Sequence, residues 1–279
     1  MLFNCMNILY TSPLEQFRLF PFFDLRVGAF DISFTNISYT LLLIFVASVV
    51  FFFSLVNKYT EAHYNKTFFI VPSFWQGFVE FLYKAIVSTV SDNISIKNTS
   101  NDSKNERAQF FVPLIFCVFT FICSINLFGL IPYNPTLTSH LIATLTIGTS
   151  VFFMTVWLGV AKHGIQYFKT FLPTGTRLGL AFLLVPIEFI SFIFKPVSLS
   201  LRLFVNIVAG HTLLHTIAAF VFIEFFFVLG KPFFLYLVFY IPVFAFLCLF
   251  ILETAVCLIQ AFVFSILICI YIDSAFNLH

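Results

Sequence analysis

Arg202 stands where a cation is out of place. It lies in Ser198-Leu199-Ser200-Leu201-Arg202-Leu203-Phe204-Val205-Asn206-Ile207-Val208-Ala209-Gly210-His211, inside a stretch that is almost unbrokenly apolar from residue 178 to residue 229. A charged side chain at the centre of a bilayer costs at least about 2.5–3.5 kcal/mol, so such an arginine needs a partner or a task. No acid lies within one or two turns of it, which puts its counter-charge on another element or another subunit. No second arginine follows at three-residue spacing, as a voltage sensor would require. The guanidinium keeps its proton in proteins. Arg202 therefore cannot relay a proton, but it can block one and attract a mobile carboxylate.

Groups that do change protonation surround it in the sequence. Glu188, Lys195 and Arg202 are spaced by seven, and each step of seven drifts only about 20° around a helix, so they share one face. Asn206 and Glu224 fall about 40° from Arg202, whereas His211 falls about 180° away, with His215 four residues after it. This separation turns the Arg202 face away from the His211 face, which is expected to point at the 233–273 helix. There Glu253 and Gln260, seven apart, share a face, and Asp273 lies near the end. A histidine facing a buried carboxylate suits a proton relay near neutral pH. Blander readings stand beside these. Glu188 and Lys195 can form a buried ion pair, His215 can be structural, Glu224 can snorkel to the surface, and Gln260 can be an interhelical hydrogen-bonding residue.

Such positions need membrane helices to hold them. The chain is 61% hydrophobic and 9% charged, with mean hydropathy +1.04, against about 25% charge in a soluble domain. We read it as an all-α polytopic membrane protein. It has an N-terminal tail (1–36), a first transmembrane helix (37–57), an amphipathic surface helix with a polar loop (58–109), a transmembrane helix pair (110–162) and a C-terminal hairpin (163–279). The amphipathic helix is expected over 68–90, with the Asn/Ser-rich 91–107 as loop, and Pro132-Tyr133-Asn134-Pro135 reads as a turn. As one helix, even 197–229 is about 50 Å long, against a hydrocarbon core of about 30 Å. Two long, strongly tilted helices are expected, with three or four ordinary spans as the alternative; Pro186, Pro196 and Pro242 offer kink points.

Lysine and arginine cluster in 58–107 and in 162–177 and are absent from 131–140. The positive-inside rule puts the first two on the cytoplasm-equivalent side and the N-terminal tail outside, although that tail carries Arg18 and Arg26. The six cysteines include no CxxC pair, and the five that lie in apolar runs read as small buried hydrophobes; no metal site or other cofactor is expected. The N-terminus has neither a signal-peptide nor a transit-peptide layout. The net charge of +2 gives no basis for a nucleic-acid partner. No GxxxxGK[ST] phosphate loop occurs, so no ATP chemistry is expected in this chain.

The segment from Lys195 to His211 resembles the signature of subunit a of F-type ATP synthases. Leu252-Glu253-Thr254-Ala255-Val256-Cys257-Leu258-Ile259-Gln260-Ala261-Phe262-Val263-Phe264 and Ser12-Pro13-Leu14-Glu15-Gln16-Phe17 are similar to that family in the same order and spacing. Val205 stands where the family usually has glycine, and 91–107 looks divergent. His211 with Glu253 matches the mitochondrial arrangement, which bacterial members reverse.

The resemblance implies a stator whose two offset half-channels couple proton flow to ring rotation and ATP synthesis. Arg202 would face the acidic residue of the c-ring, with Asn206 and Gln260 supporting it. His211 and Glu253 would line the entry half-channel from the intermembrane space, and Glu188 and Asp273 the matrix-side exit. His215, Glu224 and Lys195 complete the expected proton-translocation set. The implied partners are the c-ring, the peripheral stalk, other membrane-sector subunits and the lipid bilayer. The implied location is the mitochondrial inner membrane, with the N-terminus on the intermembrane-space side. A structural or quinone-handling subunit of a respiratory complex would leave Arg202 dispensable, and a secondary transporter would show internal repeats, of which the sequence shows none.

Overall fold

The computed structural model describes residues 17–27, 30–31, 33–64, 74–94, 101–131, 134–164, 166–167, 178–228 and 234–277. After two short β-ladders come six α-helices: α1 (Asn36–Tyr64), α2 (Phe74–Asn93), α3 (Asn101–Gly129), α4 (Leu141–His163), α5 (Leu178–Val228) and α6 (Phe234–Phe276). Among the described residues, five helices are long and apolar enough to cross a membrane: α1, α3, α4, α5 and α6. The chain is an all-α, multi-pass membrane protein.

Hydrophobicity placed these elements well and their ends less well. The second span begins as helix at Asn101, not at residue 110, so 101–107 is helical where the sequence reads as loop. Extending an existing helix costs little per residue, and Lys104, Glu106, Arg107 and Ala108 are good helix formers. The surface helix starts at Phe74 and ends at Asn93. The C-terminal run is two helices of 51 and 43 residues, not three or four spans. Pro186, Pro196 and Pro242 lie inside them without ending them, as membrane helices tolerate. The Pro132-Tyr133 part of the expected turn, the Gly230-Lys231-Pro232 connection and Ser12–Gln16 lie outside the described residues.

By its internal contacts the chain falls into two compact units. One comprises the described residues up to Leu43 with Ile125–Thr144 and Arg202–Gln260. In it, β1 (Pro21–Phe23) pairs antiparallel with β4 (Phe34–Thr35), and β2 (Arg26–Val27) pairs with β3 (Phe30–Asp31) between them. The ladder feeds α1 through a reciprocal cap. The Thr35 amide donates to Ser38 Oγ at 2.8 Å and the Ser38 amide to Thr35 Oγ1 at 3.5 Å, which satisfies amides that a helix start leaves open. Asn36 ties the same point back to the chain, donating from Nδ2 to the Arg18 carbonyl at 3.2 Å. The end of α3 is closed by Asn134 Nδ2, which donates to the Phe128 carbonyl at 2.9 Å. Leu130, Ile207 and Cys257 form a buried apolar cluster in this unit.

Between α3 and α4, a 3-10 turn (Leu137–Ser139) leads to His140, just before the fourth span. Burial holds the His140 imidazole below its ordinary range, so the fold favours the neutral ring. As pH falls through about 6.5, the unfolded chain takes up the proton first, and the folded state loses stability until His140 itself protonates. His140→Gln is therefore expected to flatten the acid side of a plot of melting temperature against pH for the solubilised protein. An unchanged slope would show that His140 contributes nothing to it.

The other unit comprises Ile44–Ser124, Leu145–Leu201 and the described residues from Ala261 onwards. Here α4 meets α5 through small residues. A methyl group added at Gly148 would collide with Ser200 Oγ and come within 3.0 Å of the Pro196 carbonyl, the close approach that holds membrane helices together without a hydrophobic driving force. Ser200 Oγ also donates to the Pro196 carbonyl at 2.8 Å, which keeps the hydroxyl satisfied in apolar surroundings. Ile86 and Val90 of α2 are buried, while Phe74, Trp75, Phe78 and Phe81 are exposed, as an interfacial helix requires. Gly164, just past α4, has φ +59°, a left-handed helix stop that favours glycine.

Candidate functional site

Seven of the ten expected residues fall in the first unit, on α5 and α6. Arg202 is exposed, and no ion pair to it occurs among the described residues. Its neighbours on the exposed side of α5 are Ser198, Leu201, Val205 and Ala209, one turn apart, while Leu203 and Ile207 are buried. The cation thus projects from a largely apolar face that the described residues leave uncovered.

Asn206 joins that face to α6. Its Nδ2 donates to Gln260 Oε1 at 3.0 Å. Gln260 is buried, and its own Nε2 has no partner among the described residues. One turn further along α5, Gly210 lies against the Glu253 carboxylate, so closely that a methyl group there would overlap both oxygens. Glu253 is only 5% exposed, and its Oε1 is buried without a partner.

Asn206 and Gly210, about 40° apart on α5, thus both meet α6, as Ile207 between them does in its cluster with Cys257. His211 instead packs edge-on against the Phe17 ring, with centroids 6.4 Å apart, and its Nε2 lies 3.9 Å from where a methyl on Gly129 would sit. That Nε2 is buried and has no partner among the described residues. His211 nonetheless follows Gly210 directly, so the histidine and the carboxylate belong to one buried polar neighbourhood. His215 is half-buried one turn on, and Glu224 keeps one buried, unpartnered carboxylate oxygen.

Asn126, Thr136 and Thr138 are further buried polar residues of the same unit and were not singled out from the sequence. Asn126 is 1% exposed, and neither its amide atoms nor the buried Thr136 and Thr138 hydroxyl oxygens have a partner among the described residues. An Asn near the end of the second span was a readable signal; the two threonines, in a loop, were not. Thr136 also packs its methyl against Gly129.

Glu188, Lys195 and Asp273 fall in the second unit. Glu188 is exposed, so the buried Glu188–Lys195 pair does not form. Lys195 places its ammonium 5.5 Å from the Phe192 ring centre and 5.8 Å from that of Tyr271, where the ring quadrupole attracts a cation. Asp273 accepts from Asn277 Nδ2 at 2.9 Å.

Long apolar helices, an exposed arginine without an ion pair and several buried polar groups, none with a partner among the described residues, together define a membrane protein equipped to handle charge. Comparison with known proteins makes this particular. The family model described as "ATP synthase A chain" matches residues 39–273. The chain is 40% identical over 271 residues to ATP synthase subunit a of Pylaiella littoralis, covering 97% of this chain and 100% of that one. It is 37% identical to ATP synthase subunit a of Brassica napus, covering 98% and 99%, and 38% identical to that of Marchantia polymorpha, covering 96% and 99%. The chain belongs to the ATP synthase A chain family.

Proposed function

We propose that this chain is the proton-translocating stator subunit in the membrane sector of a mitochondrial F-type ATP synthase. The observation that carries the reading is Arg202, a fixed cation on an exposed apolar face with no acid of its own. A mobile carboxylate on a rotating partner is the counter-charge that such a face fits. When a protonated ring carboxylate arrives, Arg202 favours loss of its proton; when the ionised group moves on, it must take a proton from a separate source, because the cation does not supply one. Asn206 and Gln260 hold α5 and α6 in register beside it.

Entry is assigned to Asn126, Thr136, Thr138, His211 and Glu253, with His215 and Glu224 beyond them. Buried polar atoms are normally bonded to protein or water, and a run of them without protein partners provides sites for an ordered chain of water. Exit is assigned to Glu188 and Asp273, with Lys195 close to the latter's helix. The lysine- and arginine-rich segments mark the matrix side, which leaves the N-terminus facing the intermembrane space. The partners are the c-ring, the peripheral stalk and the remaining membrane-sector subunits.

Cysteine scanning of residues 195–215 tests the assignment of faces. Crosslinks to a ring subunit are expected at 198, 201, 202, 205 and 209, with helical periodicity. A pattern centred on 203, 207 and 211 would reverse the faces and remove the basis for this site.

A further inference from the structure

The helices α4 and α6 bring their C-terminal ends together, and both ends carry partial negative charge from unpaired carbonyls. The sequence answers this with a lysine and a histidine at the end of α4. Lys162 Nζ donates to the Phe276 carbonyl at 3.0 Å and sits 4.4 Å from the centre of the Phe276 ring. His163 Nε2 lies 3.1 Å from the same carbonyl oxygen. The Phe276 ring also packs edge-on against Phe111 of α3, with centroids 5.4 Å apart. The left-handed Gly164 stops α4 at the point where both side chains reach across. One turn back from Phe276 is Asp273, whose carboxylate is held by Asn277 from beyond the helix end. On the preceding side, Lys195 over Tyr271 fixes the same stretch of α6.

We propose that Lys162 and His163 form a clasp on the end of α6 and act as positioning residues for Asp273. This rests on the reading of Asp273 as part of the exit path. The clasp fixes the last turn of α6, which keeps Asn277 within reach of the Asp273 carboxylate and sets where that carboxylate presents itself. Lys162 and His163 pass no proton in this arrangement.

The test compares Lys162→Met, which keeps the aliphatic stem, with Lys162→Arg, which keeps the cation, in the intact complex in membrane vesicles. Amide exchange in the last turn of α6 is expected to quicken roughly tenfold in Lys162→Met, the scale of one lost charge-assisted hydrogen bond, and to stay near normal in Lys162→Arg. ATP-driven proton pumping per assembled complex should fall several-fold in Lys162→Met and be rescued by Lys162→Arg. In an Asp273→Asn background, Lys162→Met should change pumping less than twofold, because the residue it positions is already disabled. Unchanged amide exchange overturns the clasp. An equal loss of pumping in both backgrounds overturns the positioning role. If Asp273→Asn alone pumps normally, the exit-path reading fails instead, and unaltered exchange remains the separate sign that the clasp itself is absent.

Discussion

Arg202→Ala is expected to abolish both proton-driven ATP synthesis and ATP-driven pumping while leaving the complex assembled. Alanine is the best helix former, and Arg202 has no ion pair among the described residues and is exposed on α5, so the fold loses nothing that it depends on. What disappears is the fixed charge. A proton crossing about 200 mV carries roughly 4.6 kcal/mol, and without a cation between entry and exit that energy is dissipated as a leak. Membrane vesicles should show passive proton conductance through assembled complexes and no coupled transport. Lysine restores the charge but not the planar, weakly hydrated guanidinium, so Arg202→Lys should recover little. Coupled rates near normal in an assembled Arg202→Ala complex would falsify the stator reading.

Gly210→Ala should have the second-largest effect, and for a steric reason. The added methyl overlaps the Glu253 carboxylate, so either the carboxylate turns away or the helices part. Forcing an extra carbon into a packed site costs about 1–3 kcal/mol, and here the distortion falls on a group assigned to proton entry. Synthesis should drop at least tenfold with subunit levels maintained. Glu253→Asp shortens the side chain by one methylene, and the double variant Gly210→Ala/Glu253→Asp should regain part of what Gly210→Ala loses. A double variant no better than the worse single would place the damage elsewhere.

The spans were legible because lipid demands a long apolar helix, and that demand is written residue by residue. Arg202 was legible because a cation in such a helix violates the pattern. The seven-residue spacing put Glu253 and Gln260 on one face, and both turn towards α5. The same angular argument sent His211 towards α6; the contacts seen for it are the Phe17 ring and the Gly129 position. Helical angles fix relative directions on one helix but not which neighbour lies in each direction. Thr136 and Thr138 were silent for a related reason: nothing in a short loop reveals that its hydroxyls are buried. The ladder over residues 21–35 went unread because strands of two or three residues are too short for an alternation to show. The Lys162–Phe276 bond joins residues 114 apart in sequence, and a lysine near a helix end reads simply as a topology signal.

The length of α5 makes it a track. Its apolar part, Phe182–Glu224, has 43 residues, or about 64 Å of helix at about 1.5 Å each. Taken as a straight rod within a hydrocarbon layer about 30 Å thick, it runs about 57 Å sideways in the plane of the bilayer. Upright helices are about 10–12 Å across, so such a rod underlies roughly five of them side by side. On the proposed stator reading, a ring turning past such a rod would meet it with the next upright helix before the last one leaves, so that hand-over between carriers would take place against a continuous wall rather than across an open gap.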